Sequence, residues 1–117
     1  MKRLLVVDDE PSILAAFTRY FGGLGHEVTP VSSAEDALAA TQKEKFDIIF
    51  LDNVLPGMSG LRAIPELARH TGAPILMMTG HFDEELKKDA LLIGAADLLP
   101  KPLDFEALAL RLETPGA

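Results

Sequence analysis

Cysteine is absent from the chain, which excludes both a disulfide framework and a thiolate metal site. Long apolar runs are absent as well. Met1-Lys2-Arg3 is followed by only the short run Leu4 to Val7, too little for the apolar segment of a signal peptide, and no other run approaches the length of a membrane span. A soluble, cytoplasmic protein with no membrane partner is therefore expected. Basic residues are few: 11 Lys and Arg stand against 18 Asp and Glu, for a net charge of −7. They are scattered rather than striped, so direct nucleic-acid binding, which needs clustered positive charge, is not expected. No Gly-rich phosphate loop follows the first apolar run, which argues against a nucleotide-binding domain. No polar block is long enough to predict disorder. What is left is a chain of 117 residues, 48% of them hydrophobic, enough for one domain with a core of its own.

Strand and helix patterns alternate along that chain. Leu4 to Val7 reads as a strand. Pro11 then opens a helix with Ile13, Leu14, Phe17, Phe21 and Leu24 on one face, ended by Gly22, Gly23 and Gly25. Val28 to Val31 is a short second strand, and Ser33 caps a helix that turns Ala34, Ala37, Leu38 and Thr41 inward. Ile48 to Leu51 is the third strand. Pro56-Gly57 and Gly60 form a tight loop after it, and Leu61, Ile64 and Ala68 define a third helix that Pro65 is expected to kink or shorten. Ile75 to Met78 is the fourth strand. Leu86, Ala90 and Ile93 mark a fourth helix closed by Gly94, Asp97 to Pro100 a fifth strand, and Asp104 caps a fifth helix facing Phe105, Leu108 and Leu112 inward. Apolar strands alternating with helices predict a parallel sheet covered on both faces, a three-layer αβα domain. Prolines belong at sheet edges or strand starts. Pro30 lies within the second strand and Pro100 in the fifth, while Pro74 merely opens the fourth. Strands two and five then form the edges, and the order is 2-1-3-4-5.

Every apolar strand but the second runs into polar chemistry at its C-terminal end: Asp8-Asp9, Asp52, Thr79-Gly80 and Lys101-Pro102. In parallel sheets that edge is where ligands bind, and the switch point of this order falls between the strands carrying Asp8, Asp9 and Asp52. Three converging carboxylates repel one another unless a cation arrives. An oxygen-only set with open positions suits Mg²⁺. Asp52, kept ionised, is then placed to attack phosphorus and become an aspartyl phosphate. Lys101 is positioned to pair with the phosphoryl oxygens and the Thr79 hydroxyl to donate to another, with the backbone amides of Val54 and Gly80 completing the cradle.

In these residues the chain resembles the receiver domain of two-component response regulators, whose fold is the flavodoxin-like 2-1-3-4-5 arrangement. The resemblance rests on Leu5-Val6-Val7-Asp8-Asp9-Glu10-Pro11, on Asp52-Asn53-Val54-Leu55-Pro56-Gly57-Met58-Ser59-Gly60, on Thr79-Gly80, and on Gly94-Ala95-Ala96-Asp97 through Lys101-Pro102. It implies a receiver domain over residues 1–113, with 114–117 as a tail or the start of a linker. It implies Asp52 as phosphoacceptor, Mg²⁺ held by Asp9, Asp52 and the Val54 carbonyl with Asp8 acting mostly through water, Thr79 and Lys101 as switch residues, and a cis Lys101–Pro102 bond. The implied partner is a sensor histidine kinase. The domain would not be an enzyme in the ordinary sense, only a phosphoacceptor that assists its own phosphorylation and dephosphorylation. Met77-Met78-Thr79-Gly80-His81 is similar to receivers of nitrogen-regulatory transcription regulators, which implies a C-terminal DNA-binding or AAA+ output domain outside this chain. Whether phosphorylation closes a homodimer is left open by the sequence.

One position departs from the family. Three residues before the lysine, where an aromatic is usual, stands Leu98. A readout through the loop at 79–83 and the fourth helix is expected instead. Val54 and His81, flanking the acceptor and Thr79, are expected to slow self-hydrolysis. Two alternatives compete with the switch. An aspartyl-nucleophile phosphatase of the haloacid-dehalogenase type needs a second Asp two residues after the first, where this chain has Val54. A pseudo-receiver that binds partners without phosphorylation is encouraged by Leu98 and opposed by the intact Asp8, Asp9, Asp52, Thr79 and Lys101.

Overall fold

In the computed structural model, which describes residues 1–113, five parallel strands form one sheet. The strands of this sheet are β1 (Arg3–Val7), β2 (Glu27–Val31), β3 (Ile48–Asp52), β4 (Ile75–Thr79) and β5 (Asp97–Pro100), in the order β2-β1-β3-β4-β5. The helices between and after them are α1 (Pro11–Gly23), α2 (Ala34–Lys43), α3 (Gly60–His70), α4 (Glu84–Leu92) and α5 (Phe105–Glu113). Prolines at 30 and 100 do lie in the two edge strands. Thr114–Ala117, read from the sequence as a tail or linker start, lie outside the described residues.

Alternation along each strand sorts the core into two halves. Leu5, Val7, Ile49, Leu51, Ile75 and Met77 pack with Ala37 of α2, Ile64 and Leu67 of α3, and Ala90 of α4. Leu4, Val6, Ile48, Phe50, Leu76 and Met78 pack with Phe17 and Phe21 of α1 and with Leu108 and Leu112 of α5. Helices α1 and α5 thus cover one face and α2, α3 and α4 the other. The central strands are apolar on both faces because both faces are buried.

Helix starts follow local chemistry. Ser33, Ser59 and Asp83 each accept a backbone N–H from the first turn of α2, α3 and α4, satisfying donors that a helix N-terminus leaves free. Asp104 does the same for α5 through the Ala107 N–H.

Four expectations need correction. Leu24 is 53% exposed. It follows α1 as its C-cap, past the last residue that shares the helical face. Ile93 is likewise the C-cap of α4 and is exposed. The buried face of α3 is Gly60, Ala63, Ile64 and Leu67, with Ala68 exposed and Leu61 half-buried. Gly60, Ala63, Ile64 and Leu67 form the i, i+3, i+4, i+7 stripe to one side of Ile64, and Leu61 and Ala68 lie to its other side. Pro65 neither breaks nor shortens α3, which runs unbroken from Gly60 to His70 with Pro65 on its exposed side. Pro65 has no N–H to give the Leu61 carbonyl, a loss that is tolerated on the exposed side of a helix.

His26 ties the starts of β1 and β2 together, its Nδ1 accepting the Lys2 N–H at 3.0 Å. Burial lowers its pKa below the ordinary 6.5, helped by the N-terminal amine and Lys2 and opposed by Glu113. A depressed histidine pKa stabilises the fold above the unfolded-state value, and that contribution is lost as pH falls through the folded one. His26→Gln keeps an acceptor that does not titrate. The wild type should lose about 1 kcal/mol more than this variant between pH 7.5 and 5, the worth of one hydrogen bond, measured by urea unfolding at each pH.

Candidate functional site

Strand register brings the polar ends together. Val7 lies level with Leu51, Asp52 with Met78, and Thr79 with Pro100. Asp8, Asp52, Thr79 and Lys101 therefore emerge at the same edge of β1, β3, β4 and β5. The edge is also sealed: Asp8 is fully buried, Asp52 is 6% exposed and Thr79 3%, while Asp9 is exposed.

Carboxylate oxygens of Asp8, Asp9 and Asp52 all lie within 4.8 Å of one another. Into this cluster reaches Lys101, whose Nζ donates to Asp8 Oδ2 at 2.8 Å and lies 3.2 Å from Asp52 Oδ1. The other Asp8 oxygen accepts the Glu10 N–H at 2.9 Å. Lys101 is placed by its own backbone, since its N–H donates to the Thr79 carbonyl at 2.7 Å, and its peptide bond to Pro102 is cis. The Thr79 hydroxyl accepts the His81 N–H at 3.1 Å, folding the start of the β4–α4 loop against the site.

One lysine does not neutralise three acids. Burial, then the charge of Asp8, raises the Asp52 pKa above the ordinary carboxylate value, and Lys101 and a backbone hydrogen bond from Val54 only partly oppose this. For Lys101 burial acts to lower the pKa, but the bond to Asp8 and the charges of Asp52 and Asp8 outweigh it and hold the ammonium protonated. The cluster has room for more positive charge. Its all-oxygen donor set and partial exposure at Asp9 fit a hard divalent cation.

After Asp52 the chain turns back through a small antiparallel ladder, Val54–Leu55 against Met58–Ser59, around Gly57 in a positive-φ conformation of 74°. The sequence marks a tight loop here without the ladder. Val54 is 71% exposed, two residues after Asp52, and His81 is exposed on its loop. Neither the Lys101–Asp8 bond nor the Glu10 amide on Asp8 was legible: the first joins residues 93 apart in sequence, and no spacing signal encodes it. Leu98, 2% exposed, packs in the half of the core that holds α4, with Leu86, Ala90 and Ala95.

The profile of the response regulator receiver domain matches residues 4–113. The chain belongs to that family. Among its relatives, protein PilH of Pseudomonas aeruginosa is 33% identical, the match covering 92% of each chain. The two-component response regulator PhoP of the same organism is 39% identical over 94% of this chain and 49% of its own length. The crystal structure of a Burkholderia pseudomallei response regulator with a phosphorylated aspartic acid, calcium ion and citrate superposes with a TM-score of 0.89 at 30% identity, covering 97% of this receiver and 68% of that chain. The receiver spans only 25% to 49% of the length of several of these relatives, among them the transcriptional activator protein PfeR and the transcriptional regulatory protein ZraR. It is thus a signalling domain of two-component systems with relatives that regulate transcription, and it contains an acidic cluster able to hold a metal. Among the described residues no helix is long and apolar enough to cross a membrane.

Proposed function

We propose that this receiver accepts a phosphoryl group on Asp52 from a histidine kinase in a Mg²⁺-dependent reaction and passes the change to an output domain or partner in transcription regulation. The observation that carries the reading is the buried contact of Lys101 Nζ with both Asp8 and Asp52 beside the exposed Asp9. It gathers a nucleophile, a cation and an unfilled demand for positive charge at one sheet edge. Asp9, Asp52 and the Val54 carbonyl would hold Mg²⁺, with Asp8 acting mostly through water. When bound, the ion supplies the charge that keeps Asp52 ionised and lets an anionic phosphodonor approach.

An Asp52 oxygen attacks the phosphorus in line. The new P–O bond forms as the P–N bond to the donor imidazole breaks, and the ring nitrogen leaves with the electron pair. Lys101 is the cation nearest the acceptor and pairs with the new phosphoryl oxygens. The Thr79 hydroxyl can accept the His81 N–H and still donate to phosphate, so Thr79 links the phosphoryl group to the β4–α4 loop. With Leu98 packed in the core, no aromatic ring is there to swing, and the readout runs through residues 79–83 and α4. Dephosphorylation occurs at the same site, slowed by Val54, which has no group to orient water.

Incubation with acetyl phosphate and Mg²⁺ tests this by intact mass. A single acid-labile phosphoryl adduct is expected, absent without Mg²⁺ and absent in Asp52→Asn. No adduct, together with no response to beryllofluoride, would replace this reading by the phosphorylation-independent pseudo-receiver.

A further inference from the structure

The turn that follows Asp52 is held from both sides. The Asn53 N–H donates to the Met78 carbonyl of β4 at 2.8 Å, and the Asn53 carbonyl accepts the Gly60 N–H from the start of α3 at 2.7 Å. Gly60 itself has no room for a side chain. A Cβ added there would lie 2.4 Å from the Asp52 carbonyl oxygen, 2.8 Å from Asn53 Cα and 3.1 Å from the Asp52 carbonyl carbon. All three are backbone atoms, so no rotamer change relieves the overlap. Gly60 is not among the glycines with positive φ, which are Gly25, Gly57 and Gly94. Its missing side chain answers to space rather than to a dihedral angle. At an ordinary helix start alanine would be favoured over glycine; here it would force the Asp52–Asn53 backbone outward.

We infer that Gly60 is a positioning residue for the acceptor: its bare backbone sets where the Asp52–Val54 turn lies, and with it the Asp52 carboxylate and the Val54 carbonyl. The inference rests on these two groups being Mg²⁺ ligands. Ser59 belongs to the same device, because its hydroxyl accepts the Arg62 N–H at 3.2 Å and fixes the turn of α3 that carries Gly60. Ser33 makes the equivalent bond to Asp36 at the head of α2, at 3.1 Å, and supplies a matched control.

The test is Mg²⁺ affinity by titration calorimetry on folded protein, alongside the rate of phosphorylation by acetyl phosphate. Gly60→Ala should weaken Mg²⁺ binding at least tenfold, the range found when groups that orient metal ligands are altered. A displacement on the order of 1 Å should slow phosphoryl transfer by a further large factor. Ser59→Ala and Ser33→Ala should lower the unfolding temperature alike, yet only Ser59→Ala should weaken Mg²⁺ binding, by roughly threefold. If Gly60→Ala does not fold, this serine pair decides. Equal Mg²⁺ affinities for the wild type and both serine variants overturn the inference, as does a folded Gly60→Ala that binds like the wild type. A wild type that binds no Mg²⁺ overturns the metal reading and the inference together.

Discussion

Phe17→Ala is expected to cost roughly 3–5 kcal/mol of folding stability, the usual range for truncating a buried phenylalanine. The ring is fully buried. It lies 5.0 Å from Phe50 on the sheet, 5.6 Å from Phe21 one turn along α1 and 4.9 Å edge-on to Phe105 of α5. These contacts join α1, α5 and β3 in one cluster, so the cavity left by alanine opens where three elements meet and no single one can close it. A domain of this size has roughly 5–15 kcal/mol in all, and the unfolding temperature should fall by about 10 to 20 °C. Phe17→Leu should recover about half of the loss. Leu24→Ala is the contrast. The apolar spacing of α1 places Leu24 on the same face, but the residue is more than half exposed, and its truncation should change stability by less than about 0.5 kcal/mol. Urea unfolding followed by circular dichroism measures all three. A loss under about 1 kcal/mol for Phe17→Ala would mean that α1 is not anchored through this cluster.

The same contrast shows which parts of the structure the sequence discloses. Burial on both faces leaves central strands almost wholly apolar, so Leu4–Val7, Ile48–Leu51 and Ile75–Met78 announce themselves, and proline tolerance identifies the edges. The polar cluster was legible for a related reason: Asp8, Asp52, Thr79 and Lys101 are each the first polar side chain after an apolar stretch, and Asp9 follows Asp8. Phase and contact were not. On α3 the buried stripe runs through Gly60, Ala63, Ile64 and Leu67, and its small residues at 60 and 63 give less apolar signal than Leu61 on the other flank of Ile64. Leu24 and Ile93 continue a helical period past the last helical residue, where period no longer implies burial. The Lys101–Asp8 bond and the lack of room for a side chain at Gly60 beside Asp52 arise between segments that meet only once the sheet is assembled. Local pattern therefore names the participants, and register decides their geometry.

Lys101→Met should destabilise the cation-free protein by roughly 3 kcal/mol at pH 8, because removing one member of a buried ion pair strands the others. The stranded groups are Asp8, whose side chain is wholly buried, and Asp52, whose side chain is 8% exposed. At about 4 Å and an effective dielectric near 20, a pair of unit charges interacts by ~4 kcal/mol before desolvation, so the lost attraction is of the right size. The pH dependence carries a definite sign. Burial and Asp8 already raise the Asp52 pKa, and Lys101 is among the groups holding it down; removing that charge raises it further. A carboxylate with a raised folded-state pKa costs stability once pH exceeds that value and recovers it as pH falls through it. In EDTA the gap between Lys101→Met and the wild type should therefore narrow from pH 8 toward pH 5. Mg²⁺ should narrow it too. A bound dication replaces the missing ammonium; both proteins gain RT ln(1 + [Mg²⁺]/Kd), so at saturating Mg²⁺ the gap narrows by RT ln of the ratio of their Kd values. Mg²⁺ should also bind the variant more tightly than the wild type, where it must displace Lys101 from the two carboxylates. A pH-independent gap, or one that Mg²⁺ leaves unchanged, would mean that Lys101 contributes packing rather than charge.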